Sequence, residues 1–310
     1  MQYYFIIFAA VLLLALQFST NRAYEIRRGN AAKASLFFTT MTGFASAAVC
    51  LVIALASGET FRITPFSLAM AALIAVFSCT YTFIGFKIMA FGSLSVFSMF
   101  LMLGGMLCPY LFGVLWLDEQ ITVGRIIGVV LLAVSMVFPV IAKNKSGKAG
   151  AVFFILCAAV FFLNGGVSIT SKIHQVNTVF ETSSSAVFSF TANLVNGVMS
   201  AILLAVFSAS DKKAAKNEAS DDNGAAAKKS CGGKIIALLI LANAACNGVS
   251  YTLQLISAGK IDASAMYPMM TGGSVVLSAL CGLIFFREKP DKISLIGIIL
   301  AFAATFLFLF

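Results

Sequence analysis

Charge is what this chain has least of. Eleven per cent of its 310 residues are Asp, Glu, Lys or Arg, where a soluble domain needs roughly a quarter to keep its surface hydrated. That shortage excludes a fold with a conventional water-facing surface. Histidine occurs once, as His174, and no two of the seven cysteines stand in a CxxC spacing, so neither a metal site nor redox chemistry is expected. No GxxxxGK[ST] stretch is present, which removes the phosphate-cradling loop of an ATP-driven pump. Nothing calls for a cofactor. Asp and Glu are missing from the middle of every apolar run, and with them the embedded acid that proton-coupled extrusion of cations requires. The start Met1-Gln2-Tyr3-Tyr4 lacks a basic stretch, so the first apolar run is expected to stay as a span rather than be cleaved as a leader.

What is abundant is apolar length. Sixty per cent of the residues are hydrophobic, in runs that reach the ~20 residues a helix needs to cross ~30 Å of hydrocarbon. Ten spans are expected, at about 3–20, 35–57, 66–86, 94–117, 123–142, 150–170, 184–207, 234–256, 263–286 and 293–310. The fold class is therefore all-α integral membrane. A β-barrel is excluded, because barrel strands alternate apolar and polar residues over about ten positions. The net charge of +9 follows membrane topology rather than nucleic acid. Odd-numbered loops hold seventeen Lys and Arg, while even loops hold Arg62, Arg125, Lys172 and Lys260. Lys- and Arg-rich short loops stay cytoplasmic, so the bias puts both termini outside. Lys87 sits at the end of span three, and His174 reads as a solvated loop residue beside Lys172. Cys231 alone among the cysteines lies in a hydrophilic loop; the others read as small buried hydrophobes.

A short passage occurs twice. Residues 115–131 read LWLDEQITVGRIIGVVL and residues 284–300 read IFFREKPDKISLIGIIL. The offset of 169 aligns Glu119 with Glu288, Gly128 with Gly297, and Gly113 with Gly282. Weaker pairs are Thr20-Asn21-Arg22 with Thr170-Ser171-Lys172, and a proline in each of spans four and nine (Pro109, Pro268). The chain thus divides into five-span halves, 1–142 and 149–310, joined by the basic linker 143–148. An odd number of spans per half forces the second to enter the membrane upside down, giving two inverted five-helix repeats. Residues 209–233, rich in Ala, Lys and Asp and without aromatics, read as a flexible tether, with a regulatory helix as the alternative.

This pattern resembles the drug/metabolite transporter superfamily, EamA type. The likeness spans the whole chain and is most specific from Trp116-Leu117-Asp118-Glu119 through Gly128, and from Phe285-Phe286-Arg287-Glu288 through Gly297. It implies a small-metabolite permease of the cytoplasmic membrane with a central cavity, often an exporter. Two features depart from it: family members usually keep both termini inside, and loop seven is longer than usual.

Candidate cavity residues are neutral. In span eight Asn243, Asn247, Tyr251 and Gln254 advance by four, four and three, which sets all four on one helical face. In lipid their polar groups would go unsatisfied, so the stripe should face the bundle interior, lining a cavity or bridging neighbouring helices. Gln17, Tyr81, Asn164 and Tyr267 are further candidates, with Thr82, Asn193 and Asn196 as polar neighbours. Asn164-Gly165-Gly166 is either a local break or a close-packing site. Pro109 and Pro268 should kink their helices and free a carbonyl each. Glu119 and Glu288 should complement the dipole of the span that follows each. The reading is a secondary transporter working by alternating access on a small solute. Neutral, zwitterionic or anionic metabolites are favoured over polycations, and monomer and homodimer stay equally open. A non-transporting scaffold or receptor is the alternative; a lipid-modifying membrane enzyme lacks the acids and histidines it needs.

Overall fold

The computed structural model describes residues 2–28, 32–90, 94–143, 151–217, 233–287 and 292–308. They form ten helices: α1 (Gln2–Arg28), α2 (Ala32–Ala56), α3 (Pro65–Ala90), α4 (Leu94–Trp116), α5 (Val123–Lys143), α6 (Ala151–Val176), α7 (Ser185–Asn217), α8 (Gly233–Ala258), α9 (Ala263–Phe286) and α10 (Lys292–Leu307). No strand occurs among the described residues. Eight helices are long and apolar enough to cross a membrane; the described apolar stretches of α5 and α10 are shorter. At 16 residues, α10 reaches roughly 24 Å. Helices are the outcome because hydrocarbon offers no partner for a free N–H or C=O. The outer surface fits the same solvent: Phe5 is 73% exposed, Trp116 72% and Phe162 68%.

Three helices outrun the apolar runs that mark them. Helix α1 continues past residue 20 to Arg28, α6 past 170 to Val176, and α7 past 207 to Asn217. Hydropathy marks only the apolar part of a helix, whereas the backbone continues while polar side chains find partners. The expected tether at 209–233 therefore begins as helix, since Ala and Lys are strong helix formers; 218–232 lies outside the described residues. Asn164-Gly165-Gly166 is not a break but part of continuous α6. Gly165 meets Cys108 of α4, and a Cβ on Gly166 would stand 2.8 Å from the Phe77 ring of α3. Of its two readings, close packing is the one realised.

Partners are exchanged between the halves. Helix α1 packs on α8 and α9, while α6 packs on α3 and α4. Helix α2 crosses α7, α4 crosses α9 and α5 crosses α10, while α3 meets α7 just as α2 meets α8. In the α5–α10 crossing, a Cβ on Gly128 would lie 2.8 Å from the Phe308 ring, and Gly297 is buried in α10.

The duplicated passage makes the same turn twice. Asp118 (φ 51°) and Arg287 (φ 53°) are the two non-glycine residues with positive φ among the described residues, and they stand 169 positions apart. The Gly113 carbonyl accepts the N–H groups of Leu117 and Glu119, and the Gly282 carbonyl accepts that of Arg287. Each turn closes a helix C-terminus through a left-handed residue, and the carbonyl of the equivalent glycine accepts N–H groups from the turn: those flanking Asp118 in the first, that of Arg287 itself in the second. Helices α4 and α9 run on through Pro109 and Pro268. Lacking an N–H, those prolines leave the carbonyls four residues back, at Gly105 and Ser264, without their helical donors.

Candidate functional site

Two polar regions are built inside the bundle. One is a charged corner where the α8–α9 turn meets the α4–α5 connection. Lys172, 3% exposed near the end of α6, donates to the carbonyls of Ala258 at 2.8 Å and Ile261 at 2.7 Å. It thereby puts a cation on the C-terminal end of α8. Glu119 accepts the N–H groups of Ala263 at 2.7 Å and Ser264 at 2.8 Å, putting a carboxylate on the N-terminal end of α9. Both placements complement the helix dipoles and use backbone groups that helix ends leave unpaired. Lys172 Nζ and Glu119 Oε1 are 3.9 Å apart.

Glu119 therefore caps α9, not the span that follows it, which corrects the sequence expectation. The reason lies next door. Asp262, the residue before α9, makes no side-chain cap bond, because Arg125 of α5 holds its carboxylate at 2.9 Å. Arg125 also donates to Ser264 Oγ and the Gln120 carbonyl, each at 3.0 Å. Gly113 makes room for Glu119: a Cβ there would lie 2.7 Å from Glu119 Cδ. Glu288, the repeat partner, lies outside the described residues.

His174 is a second correction. It is not a solvated loop residue but 1% exposed in α6, stacked on Phe188 with ring centroids 3.5 Å apart. Its Nε2 is 2.7 Å from Ser67 Oγ, which accepts the N–H of Ser183. It ties α3, α6 and the entry to α7 together.

The second region is a pair of cavities at the centre of the bundle. One, of about 320 Å³, includes Tyr81, Asn164, Ser168, Ser171, Tyr251, Gln254 and Tyr267 in its lining, with Met102, Met266 and Met270 on its apolar side. The other, of about 370 Å³, is lined by Gln17, Asn193, Asn196, Asn243 and Asn247, with Asn21, Tyr24, Glu25 and Ser35 around loop one. Tyr81 borders both. All eight sequence candidates line one volume or the other, so the span-eight stripe is divided between them. Its members bridge helices as well. Asn243 donates to Gln17 O, Thr20 Oγ1 and Asn21 Oδ1 of α1. Asn247 donates to Ser46 Oγ of α2 and Asn193 Oδ1 of α7. Tyr251 Oη is 3.1 Å from Ser171 Oγ, and Tyr267 donates to the Ser168 carbonyl at 2.7 Å. Asn164 reaches the Leu101 carbonyl at 2.7 Å. A larger groove of about 530 Å³ between α1, α9 and α10 is walled by the exposed rings of Phe5, Phe8, Phe302 and Phe306 and belongs to the lipid-facing surface.

Ser168 and Ser171 escaped the sequence reading, although they follow Asn164 by four and seven and so share its helical face. Lys172 escaped because a lysine at the end of an apolar run looks like a loop charge. No cluster of three or more metal-ligating side chains forms among the described residues.

Ten helices enclosing polar cavities, with apolar side chains outward, define a multi-pass helical membrane protein. The family model of the EamA-like transporter family matches residues 149–310. The chain belongs to that family, within the drug/metabolite transporters, whose members are transporters rather than enzymes. A comparison with curated proteins found no match. A solved structure titled "Crystal structure of protein" is similar in fold, with a TM-score of 0.73 over 99% of this chain and 96% of that one at 15% identity.

Proposed function

We propose that this protein is a secondary transporter of the cytoplasmic membrane that moves a small solute by alternating access between two inverted halves. The observation that carries this reading is the pair of polar cavities between helices of both halves, capped at one end by the charged corner. Adding five to each helix number turns α1–α8 and α1–α9 into the contacts α6–α3 and α6–α4, and leaves α2–α7, α4–α9 and α5–α10 unchanged. That exchange, with the recurrent turn at Asp118 and Arg287, supports an inverted repeat. On the charge-derived orientation, the cavity rim at loop one faces the cytoplasm and the corner closes the outer side. Export then begins from the conformation seen here.

Purified protein in liposomes, given a metabolite panel under imposed proton, sodium and exchange gradients, should move at least one solute. No uptake under any gradient sinks the transporter and leaves the scaffold. Orientation is tested separately at Cys231. A membrane-impermeant thiol reagent should fail on intact cells and succeed on inverted vesicles; the opposite result reverses the assignment.

A further inference from the structure

The cavity amides have a common polarity. Oxygen and nitrogen of an amide are told apart by their partners, and here the partners decide. Asn164 and Asn243 face backbone carbonyls, of Leu101 and Gln17, which can only accept. Ser250 Oγ already donates to the Ala10 carbonyl, so it accepts from Gln254 Nε2 at 3.1 Å. Ser46 Oγ donates to the Ala244 carbonyl and likewise accepts from Asn247. Asn193 gives its own NH₂ to the Ser189 carbonyl, so its oxygen also meets the Asn247 NH₂.

In all four cavity amides the NH₂ therefore points into the scaffold: Asn243 and Asn247 spend both N–H groups there, and Asn164 and Gln254 one each. The carbonyl oxygens of Asn164, Asn243, Asn247 and Gln254 receive no donor among the described residues, and none is sealed away from the cavity as a buried orphan. Some of the fixed hydroxyls are spent as well. Tyr267 and Ser274 spend their protons on backbone carbonyls, and the contact between Tyr251 and Ser171 consumes one more. Gln17 and Asn196, which no described residue orients, can turn either way. The four fixed amides present oxygens and Glu25 adds a carboxylate to the second cavity, while the donors left over include the Tyr81 and Ser168 hydroxyls, one proton of the Tyr251–Ser171 pair, and the NH₂ of Asn21, whose oxygen Asn243 already holds.

We propose that the site recognises a solute through the solute's own N–H or O–H donors. The ligand class is an amphipathic amine or alcohol whose apolar body rests on Met102, Met266 and Met270, and organic anions are rejected. This rests on the cavities being the transport site, and of the neutral, zwitterionic and anionic metabolites favoured over polycations it keeps the neutral ones, drops the anionic ones and adds monoamines. A carboxylate placed here faces carbonyl oxygens and the Glu25 carboxylate, which it cannot bond, and the few leftover hydroxyl and amide donors replace only part of its water. An ammonium or hydroxyl exchanges water for carbonyls.

The test uses the full-length protein in lipid nanodiscs and four probes of one size: 2-phenylethylamine, 2-phenylethanol, 3-phenylpropionate and propylbenzene. Calorimetry should show the amine and alcohol binding at least ten-fold more tightly than the other two. Which of the pair binds better tells whether the lining favours charge. Gln254→Met and Asn247→Leu should each weaken the preferred probe by about ten-fold. Equal or tighter binding of the carboxylate overturns the proposal, as does binding by none of the four; both are read on the unaltered protein if a variant fails to fold. Binding of amines without flux in liposomes upholds this inference and sinks the transporter, while flux of anions alone does the reverse.

Discussion

Ser171 and Lys172 are neighbours on α6, yet one borders the amide-lined cavity and the other the charged corner. In the corner Lys172, Glu119 and Asp262 each have fixed partners: Lys172 two carbonyls, Glu119 two N–H groups, Asp262 the Arg125 guanidinium. In the cavity the NH₂ groups of Asn164, Asn243, Asn247 and Gln254 face the scaffold while their carbonyl oxygens stay open. Completed polar networks hold a structure together; half-completed ones wait for a ligand. The charged residues of the corner are thus scaffold, and the cavity, lined by neutral polar groups with Glu25 at the loop-one rim, is where recognition belongs. A soluble enzyme would invite the opposite assignment, but here burial makes an unpaired charge too costly to leave idle.

The corner should break hardest. Lys172→Met leaves Glu119 buried without its cation and orphans two carbonyls. Removing one partner of a buried pair costs about 3–5 kcal/mol, so the variant should lose its main melting transition in detergent. Adding Glu119→Gln should cost less than the two single losses together, because the remaining charge goes too. A Lys172→Met protein melting as the parent does would show the pair to be idle.

Gly113→Ala attacks the same corner sterically. The new Cβ contests the space of Glu119 Cδ, 2.7 Å away, and must push the carboxylate off the end of α9. Overpacking of this kind costs about 1–3 kcal/mol, readable as a lower melting temperature. A loss no larger than that of an alanine placed on the lipid-facing surface would contradict the geometry.

Architecture was legible because its signals are long and additive: an apolar run of ~20 residues survives boundary errors, and ten of them fix the class. The cavity was legible wherever polar residues recur at helical spacing, as at Asn243, Asn247, Tyr251 and Gln254. What stayed hidden was pairing across the fold. Nothing near Glu119 in the chain announces a helix that begins 144 positions later. Likewise His174 follows Lys172 in a polar stretch, and only the packing of Phe188 and Ser67 around it explains its burial. The direction of each amide was also invisible, since it depends on which serine or carbonyl stands opposite.

Tyr251→Phe sharpens the other side of the comparison. It deletes one hydroxyl and leaves Ser171 Oγ beside a cavity that water can reach, so stability should fall by less than about 1.5 kcal/mol. Transport should fall about ten-fold if the hydroxyl contacts solute, a ratio worth ~1.4 kcal/mol. Stability lost without any change in flux per folded molecule would make Tyr251 a packing residue.

The smallest effect should come from Arg62→Ala. Arg62 and Glu181 form an ion pair on the same side of the bundle as the charged corner, but their side chains are 68% and 59% exposed. Water screens the attraction and both long side chains lose entropy in holding it, so exposed pairs contribute about 0–1 kcal/mol. The Thr64 N–H to Ser183 Oγ bond and the Ser183 N–H to Ser67 Oγ bond join the same two connections from buried positions, and they persist without the arginine. Melting of Arg62→Ala beside Lys172→Met, in one detergent and at two salt concentrations, separates the contributions. The exposed pair should shift the transition little and less still at high salt, whereas the buried pair should be almost indifferent to salt. Equal losses in the two variants would mean that burial does not divide scaffold charges from surface charges here, and the contrast between corner and cavity would lose its physical basis.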